Sequence, residues 1–507
     1  MGKTRTQKAA LNTATAAVSE VVQVVCSLIL PRLILANFGS AYNGITNSAR
    51  QFLSAVSILT VGVAGSTRVA LYRSLEAKDK QRTSAIVRAT ELYMHKVGLV
   101  LLGLIAVLTV AYPLLVDTGY SWIEVAPLIV AAGVSASGRY FFGTTYSALL
   151  SADQSVYISN IFLITANIMN VVVSVILIRM GASIQVVKLC ASVVLLMSPL
   201  LRAIYVRKRY ELDRRVAPER SALTMRRDAM AHSIANIVHD HTDIVVLTIF
   251  CNVRIVSVYT VYNLVMGALK RTQQVFTSGT EAIFGNMWVK GETDKIRRSL
   301  GYYEYIISTF ASVVFSTALV MILPFISLYT KGVHDVEYLL PTYAAVITVA
   351  QMFFSFRTPY LTLVQGVGHY KQTKKGAYAE AAINLILSVT LVQFIGIVGV
   401  AVGTLAANIF RTLQYAIYAD NHIIKRGKTV FAGRILWACA NIAVIYFICS
   451  RTAAQFAYSG WLAWVMTAAV VTAIGAAITV ASSFVFYRGD MKAVFQLALR
   501  SIRKRKK

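Results

Sequence analysis

No loop in this chain is long enough to hold a nucleotide-binding or catalytic domain, which removes most enzyme classes at the outset. Gly427-Lys428-Thr429 has the end of a phosphate-binding P-loop, but the motif's first glycine would fall at position 422, which is His422. ATP hydrolysis is therefore not expected. Cysteine is scarce. Cys26, Cys190, Cys251, Cys439 and Cys449 are scattered through apolar stretches with neither metal-ligand spacing nor a disulfide framework, and read as small packing residues. No cleavable leader is read either: the first apolar run is too long, contains Glu20 and Gln23, and lacks a small-residue cleavage pattern. Acid is short too, with 22 Asp and Glu against 50 Lys and Arg, a formal net charge of +28. Such an excess invites a nucleic-acid partner, but its distribution along the chain argues against one.

What the chain has instead is apolar length. Hydrophobic residues make up 57% of it and the mean hydropathy is +0.62. Apolar runs of about 20 residues, the length that crosses a hydrocarbon core, recur from end to end. The pattern predicts an all-α polytopic membrane protein with fourteen transmembrane helices, near 10–36, 44–70, 90–116, 122–148, 156–178, 183–205, 228–250, 255–288, 302–328, 339–366, 376–395, 398–420, 431–450 and 461–486. With the N-terminus in the cytoplasm, Lys and Arg concentrate on inner segments: Lys3 to Lys8, Arg73 to Arg88, Arg202 to Arg227, Lys290 to Arg298, Lys371 to Lys375, Lys425 to Arg434 and Arg488 to Lys507. The outer segments carry only Arg179, Lys188, Arg254, Lys331 and Arg451. This asymmetry is the positive-inside pattern and predicts cytoplasmic N- and C-termini. The basic tail from Arg500 to Lys507 then reads as an anchor on anionic membrane lipids, with no nucleic acid as partner.

The charged stretch from about Val206 to Arg227, with Pro218, reads as a linker between two halves that match in order. Tyr42 and Lys78 correspond to Tyr259 and Lys295, Arg139 and Gln154 to Arg357 and Gln372, Asn170 and Ser174 to Asn384 and Ser388, and Ala203-Ile-Tyr205 to Ala416-Ile-Tyr418. All four matches fall at nearly the same offset along the chain. The expected organisation is an N-lobe of six helices (1–206), a cytoplasmic linker (207–227), a C-lobe of six helices (228–424), and two extra helices with a basic tail (425–507). An even number of helices per repeat inserts both lobes the same way, and in transporters such parallel repeats carry the substrate site between them.

Ionisable groups inside apolar helices mark functional candidates, because a charge in lipid is costly and turns toward protein or a water-filled cavity. Arg50 and Arg68 are about five helical turns apart, so one continuous helix puts both on a single face with Ser54, Ser57 and Ala64 between them. One reading is a cationic wall facing a substrate; the competing one has the two arginines snorkelling to opposite headgroup layers. Lys270, about halfway across the eighth span and beside Arg271, is the other strong cationic candidate. Its helix also carries Asn263, Gln274, Thr277 and Glu281. Arg139 and Arg357, related by the repeat, and Arg411 lie in the inner thirds of their helices, where inner-leaflet anchoring competes with substrate binding. Arg32 sits beside Pro31 near the outer end of the first span, and Glu20 on the same span is placed to pair with a cation. The seventh span is the most polar: His232, Asn236, His239, Asp240 and Asp243 recur on roughly one face. Asp240 and Asp243 read as a proton or sodium site, with His239, Glu20 and Glu281 as further coupling candidates; a structural hydrogen-bond network is the competing reading. His239 and His241 point to different faces, so no metal site is expected. H+ or Na+ as a coupling ion is the only cofactor in view. Asn160, Asn167, Asn170 and Ser174 of the fifth span are expected to hydrogen-bond between helices.

With these residues in view, the chain resembles the Wzx-like oligosaccharide flippases of the polysaccharide transporter family. That family belongs to the MOP superfamily, with the lipid II flippases and the multidrug and toxin exporters. The resemblance rests on Leu30-Pro-Arg-Leu and Phe38-Gly-Ser-Ala-Tyr-Asn-Gly-Ile45, similar to the family's opening helix and turn. It rests also on Ser257-Val-Tyr-Thr-Val-Tyr262, the counterpart after the seventh span, and on Gly396-Ile-Val-Gly-Val-Ala-Val-Gly-Thr404 leading into the twelfth. It implies fourteen helices, two six-helix lobes and a cationic central cavity. The implied partner is an undecaprenyl-diphosphate-linked oligosaccharide, moved from the inner to the outer leaflet of the bacterial cytoplasmic membrane for capsule, O-antigen or another surface glycan. Polysaccharide polymerase and export machinery would be further partners. The resemblance supplies no residue roles beyond the cationic positions above. A lipid II flippase and a MATE-type multidrug exporter share the fold; the basic residues count against cationic drugs. A membrane glycosyltransferase or polymerase would need a sizeable outer loop with carboxylates, and the longest, around Lys331 to Val336, is short.

Overall fold

The computed structural model describes residues 4–223, 241–277, 279–427 and 429–505. These are overwhelmingly helical, with no strand among them. The helices are α1 (Arg5–Phe38), α2 (Ser40–Ser54), α3 (Val63–Glu76), α4 (Lys80–Leu115), α5 (Trp122–Gly138), α6 (Thr144–Ala152), α7 (Val156–Arg179), α8 (Ile184–Tyr210) and α9 (His241–Phe250). There follow α10 (Val253–Thr277), α11 (Thr280–Val289), α12 (Thr293–Tyr329), α13 (Pro341–Gly366), α14 (Tyr370–Ile395), α15 (Ile397–Ala419), α16 (Thr429–Ala457), α17 (Trp461–Phe486) and α18 (Arg488–Arg505). Among the described residues ten helices are long and apolar enough to cross a membrane, eleven if the bent pair α2 and α3 is one span, so this is a multi-pass membrane protein. The stretches that fall below that measure, α9, α10 with α11, and α13, lie where the sequence puts its seventh, eighth and tenth spans. α9 is apolar but only ten residues long among the described residues, while α10 and α13 carry Lys270, Arg271 and Arg357.

The expected continuous helix over 44–70 is broken. After α2 the chain tightens into a 3-10 run over Ala55–Thr60, Gly62 adopts φ +80° and ψ −17°, and α3 leaves at a bend of 42°. A 3-10 helix turns more tightly than an α-helix, and a left-handed glycine resets the helix axis. Arg50 and Arg68 therefore do not share one helical face. The expected span over 255–288 breaks the same way, at Gly279 with φ +83° and ψ −15°. Gly62 and Gly279 are separated by the offset of the repeat. The relation extends to Lys78 and Gly291, Gly119 and Gly332, Gln154 and Gly368, Gly181 and Gly396, and Glu211 and Lys425, all with positive φ and all at close to that same separation. Among the described residues only Gly39 has positive φ without such a counterpart. Turn geometry thus carries the repeat more faithfully than residue identity does.

Contacts divide the chain into two units, Met1–Thr260 with Val333–Val336, and Val261–Gly332 with Glu337–Lys507. In the first, α7 packs on α1 and α8, and α5 on α4 and α8, around a core that includes Ile45, Leu53, Met94, Leu101, Val125 and Ile129. α9, placed by the sequence in the second lobe, packs here. Ser48 Oγ and Thr248 Oγ1 are 2.7 Å apart, and Asn43 Nδ2 donates to Ser257 Oγ at 2.8 Å. Val333–Val336 belongs to the unit because Asp335 caps α2, accepting from Ser40 N at 2.7 Å and Ser40 Oγ at 2.6 Å, as a carboxylate at a helix N-terminus does. At the start of α1, Lys8 Nζ donates to Asp153 Oδ2 at 2.9 Å. Burial would raise the Asp153 pKa, but hydrogen bonds from Tyr210, Ser155 and Lys8 outweigh it and hold it below the usual value.

Gly44 of α2 lies against the start of α10: a Cβ there would fall 1.6 Å from the Val253 carbonyl oxygen. A backbone carbonyl cannot rotate away as a side chain can. Gly44→Ala is expected to force the helices apart at a cost of about 3 kcal/mol, the upper end of ordinary overpacking. The check is the thermal midpoint of detergent-purified protein, and an unchanged midpoint would contradict the contact. In the second unit α12 packs on α13, α16 and α17, while α13 and α14 flank α15. Its cores include Leu300, Tyr360 and Tyr415, and Phe315, Phe356 and Trp437.

Candidate cationic sites

In the first unit Arg50, on α2, is exposed, yet it also lines a small cavity with Lys188, Asn170, Ser174 and apolar side chains. Lys188 is 7% exposed. The sequence counts it among the outer-side charges, at the start of the span over 183–205; the structure places it in the second turn of α8, after the N-cap Ser183. Its signal is an ammonium between Val186-Val187 and Leu189-Cys190, too apolar a setting for a flanking charge. Among the described residues no side chain hydrogen-bonds or ion-pairs with the charged end of either Arg50 or Lys188. Asn160 makes the expected interhelical bond, to Thr15 Oγ1 at 3.2 Å. Asn170 Oδ1 and Ser174 Oγ are buried without a hydrogen-bond partner.

The other first-unit candidates are dispersed. Arg139 opens a π-helical turn, Arg139–Gly143, between α5 and α6, and is exposed; such turns recur at functional sites. Arg68 is exposed on α3, Glu20 is exposed on α1, and Arg32 on the same helix is half-buried. Asp243 is buried and accepts from Tyr259 OH at 3.0 Å. His241 meets Gln51 Nε2, and Ser54 Oγ at 3.3 Å. Asp240 and His239, with His232 and Asn236, lie outside the described residues.

The second unit concentrates its charge. Lys270 on α10 is half-buried, with Nζ 4.7 Å from the centre of the Phe354 ring, and Arg357 Cζ lies 4.4 Å from the same ring. One aromatic ring thus serves two cations. Arg357 Nη1 bonds to Glu380 Oε1, and Arg411 Nε reaches Glu380 Oε2 at 3.2 Å. Arg411 also donates to Thr373 O at 3.1 Å, Gln414 Oε1 at 2.6 Å and Tyr415 OH at 2.6 Å. The sequence offered Arg357 and Arg411 to the substrate; the structure turns both into a buried ion network, 5% and 2% exposed. Its carboxylate, Glu380 on α14, is absent from the sequence-derived candidates. An unaccompanied glutamate between two alanines at the start of an apolar run was the available signal. Arg271 is half-buried beside Lys270, and Glu281, exposed in the first turn of α11, accepts from Tyr370 OH at 3.4 Å.

No family model matches the chain, and no curated protein matches it in sequence. Solved structures do. The lipid II flippase MurJ in an inward closed conformation aligns with a TM-score of 0.69 at 14% identity, over 94% of this chain and 99% of that one. An inward-facing multidrug resistance MATE family transporter of the MOP superfamily aligns at 0.59 and 13% identity, over 83% and 95%. The Vibrio cholerae MATE transporter VcmN in its bent form aligns at 0.50 and 14% identity, over 85% and 99%. At such identities the shared property is the fold, and the chain has the helical architecture of the MOP-superfamily transporters.

Proposed function

We propose that this protein is a flippase, not an enzyme, that moves an undecaprenyl-diphosphate-linked oligosaccharide from the inner to the outer leaflet of a bacterial cytoplasmic membrane. The product would feed capsule, O-antigen or another surface glycan. In this reading the chain crosses the membrane fourteen times, as two six-helix lobes and two added helices, with both termini in the cytoplasm. The observation that carries it is the grouping of cations inside the helices: Arg50 and Lys188 at one small cavity of the first unit whose lining holds no carboxylate, and Lys270, Arg357 and Arg411 around Glu380 in the second. An anionic head group suits such surroundings and a cationic drug does not. Arg50 in the first unit, and separately Lys270 and Arg271 in the second, are the cations offered to the diphosphate, with Arg139, Arg68 and Arg32 as further cations for it. Arg357 and Arg411 would set the position of Lys270 through Phe354. The lipid tail would remain in the bilayer while access alternates. An outward-moving negative charge gains about 2.3 kcal/mol per 100 mV of inside-negative potential. An inward H+ or Na+ at Asp240 or Asp243 would add to that drive. Lipid II is the second reading, favoured by the alignment to a flippase named for it.

The test is expression in a bacterium whose own oligosaccharide flippase gene is deleted, measuring surface glycan against lipid-linked intermediate retained inside. The parent is expected to restore export. Arg50→Ala and Lys270→Ala, at equal expression, should each lower it about tenfold or more, the value of one charged hydrogen bond. Full export by both variants would remove those residues from the site. A parent that fails here but supports growth after depletion of the lipid II flippase would move the substrate to the peptidoglycan precursor.

A further inference from the structure

The cavity shared by Arg50 and Lys188 poses a charge problem that no residue lining it solves. Lys188 is almost wholly withdrawn from solvent, and its charge interacts with that of Arg50. No carboxylate lines the cavity; its other polar walls are Thr46, Asn170, Ser174 and Ser192. Thr46 and Ser192 already donate to backbone carbonyls, at 2.8 Å each. Ser174 Oγ remains without a partner, and so does Asn170 Oδ1, whose amide would turn its Nδ2 inward if flipped. Beside an apolar wall of Leu30 and Leu128, and near Arg50, Lys188 keeps its own charge only if a counter-charge joins it.

The free space is about 10 Å³, at the lower limit for holding one small guest. A monatomic ion suits so small a site better than a polyatomic phosphate or carboxylate. A water would fit but would bring no negative charge. We infer that this cavity binds a single monovalent halide, chloride in the cell, held by Lys188 Nζ, Arg50 and the Ser174 hydroxyl. The ion neutralises Lys188 and leaves Arg50, which is exposed on its other side, as the net positive charge of the first unit's cavity. The site depends on no property of the transported substrate, so it stands or falls apart from the flippase reading.

The experiment uses purified full-length protein at fixed ionic strength, with sodium gluconate replaced stepwise by sodium chloride, bromide or phosphate. A saturable rise in thermal midpoint with chloride and bromide, but not phosphate, is expected. In Lys188→Met the half-saturating chloride concentration should rise about tenfold or more, as for loss of one charged hydrogen bond; Ser174→Ala should raise it less. Equal responses to every anion, a response to phosphate alone, or an unchanged response in Lys188→Met would overturn the inference. Should Lys188→Met fail to fold, crystals of the parent in bromide decide: an anomalous peak beside Lys188 Nζ is expected, and its absence at saturating bromide refutes the site.

Discussion

Glu380→Ala will leave two arginines stranded. Arg357 and Arg411 both bond to that carboxylate, and Arg357, Arg411 and Glu380 are 5%, 2% and 4% exposed. Removing one partner of a buried ionic network costs about 3–5 kcal/mol, because the charges left behind have neither water nor a counter-ion. Thermal melts followed by size-exclusion chromatography should show a midpoint far below the parent's. Glu380→Gln keeps the shape and one acceptor oxygen but not the charge, and should fall between the two. Replacing all three with leucine removes the charges along with their need for one another, and such replacements are often neutral. The triple variant is therefore expected to regain much of the stability lost in Glu380→Ala, yet to export poorly, since Phe354 would support Lys270 without Arg357 on its other side. That split separates holding the fold from positioning the cation. A Glu380→Ala protein that melts with the parent would mean the two arginines find water.

The extent of what the sequence revealed follows from the range of the forces involved. Membrane spans are written in composition over about 20 residues, so α7 and α17 were readable almost to their ends, while α4 and α12 begin well before the expected spans because their first turns are charged and lie outside the apolar run. The repeat was readable too, from four weak matches, because a duplicated chain keeps its spacing after its residues drift. The turns show how well: positive-φ residues pair across the two halves, one after another, at nearly constant separation. Gly62 was opaque for a different reason. Glycine is common within transmembrane helices, and nothing in Val61-Gly62-Val63 separates a packed glycine from one that ends a helix. Lys188 was hidden by its place in the chain: a lysine at the outer start of a span counts as a flanking charge and not as a buried one. Glu380 was hidden by its neighbours: so soon after Lys371, Lys374 and Lys375, a carboxylate reads as part of the charged inner segment and not as the partner of two arginines on other helices.

The repeat also sets up a comparison within one molecule. Its offset relates Glu91 to Glu304 and Tyr146 to Tyr360. In the first unit the buried Glu91 accepts from Tyr146 OH, itself held by Arg207 Nε at 2.7 Å, while Arg88 reaches only 4.0 Å from the carboxylate. In the second unit the buried Glu304 takes Arg426 through two hydrogen bonds, of 2.5 and 2.9 Å, and Arg434 Nε at 3.3 Å. Arg434 also donates to Asp490 of α18 at 2.7 Å, and Arg426 Nε lies 3.5 Å from Asp420. Equivalent positions thus carry different penalties. Glu91→Ala leaves a hydroxyl unsatisfied and should cost about 1–3 kcal/mol. Glu304→Ala leaves two buried guanidinium groups with one remaining carboxylate each, and should cost about 3–5 kcal/mol. The pair is best read side by side in one detergent, as thermal midpoints of the two variants against the parent. Asp490→Asn serves as the control: its carboxylate is partly exposed, so its loss should be small. If Glu91→Ala proved the more damaging, the number of stranded charges would not be what sets the cost. The hydrogen-bond chain from Glu91 through Tyr146 to Arg207 would then hold more of the first unit together than the loss of one hydroxyl partner implies.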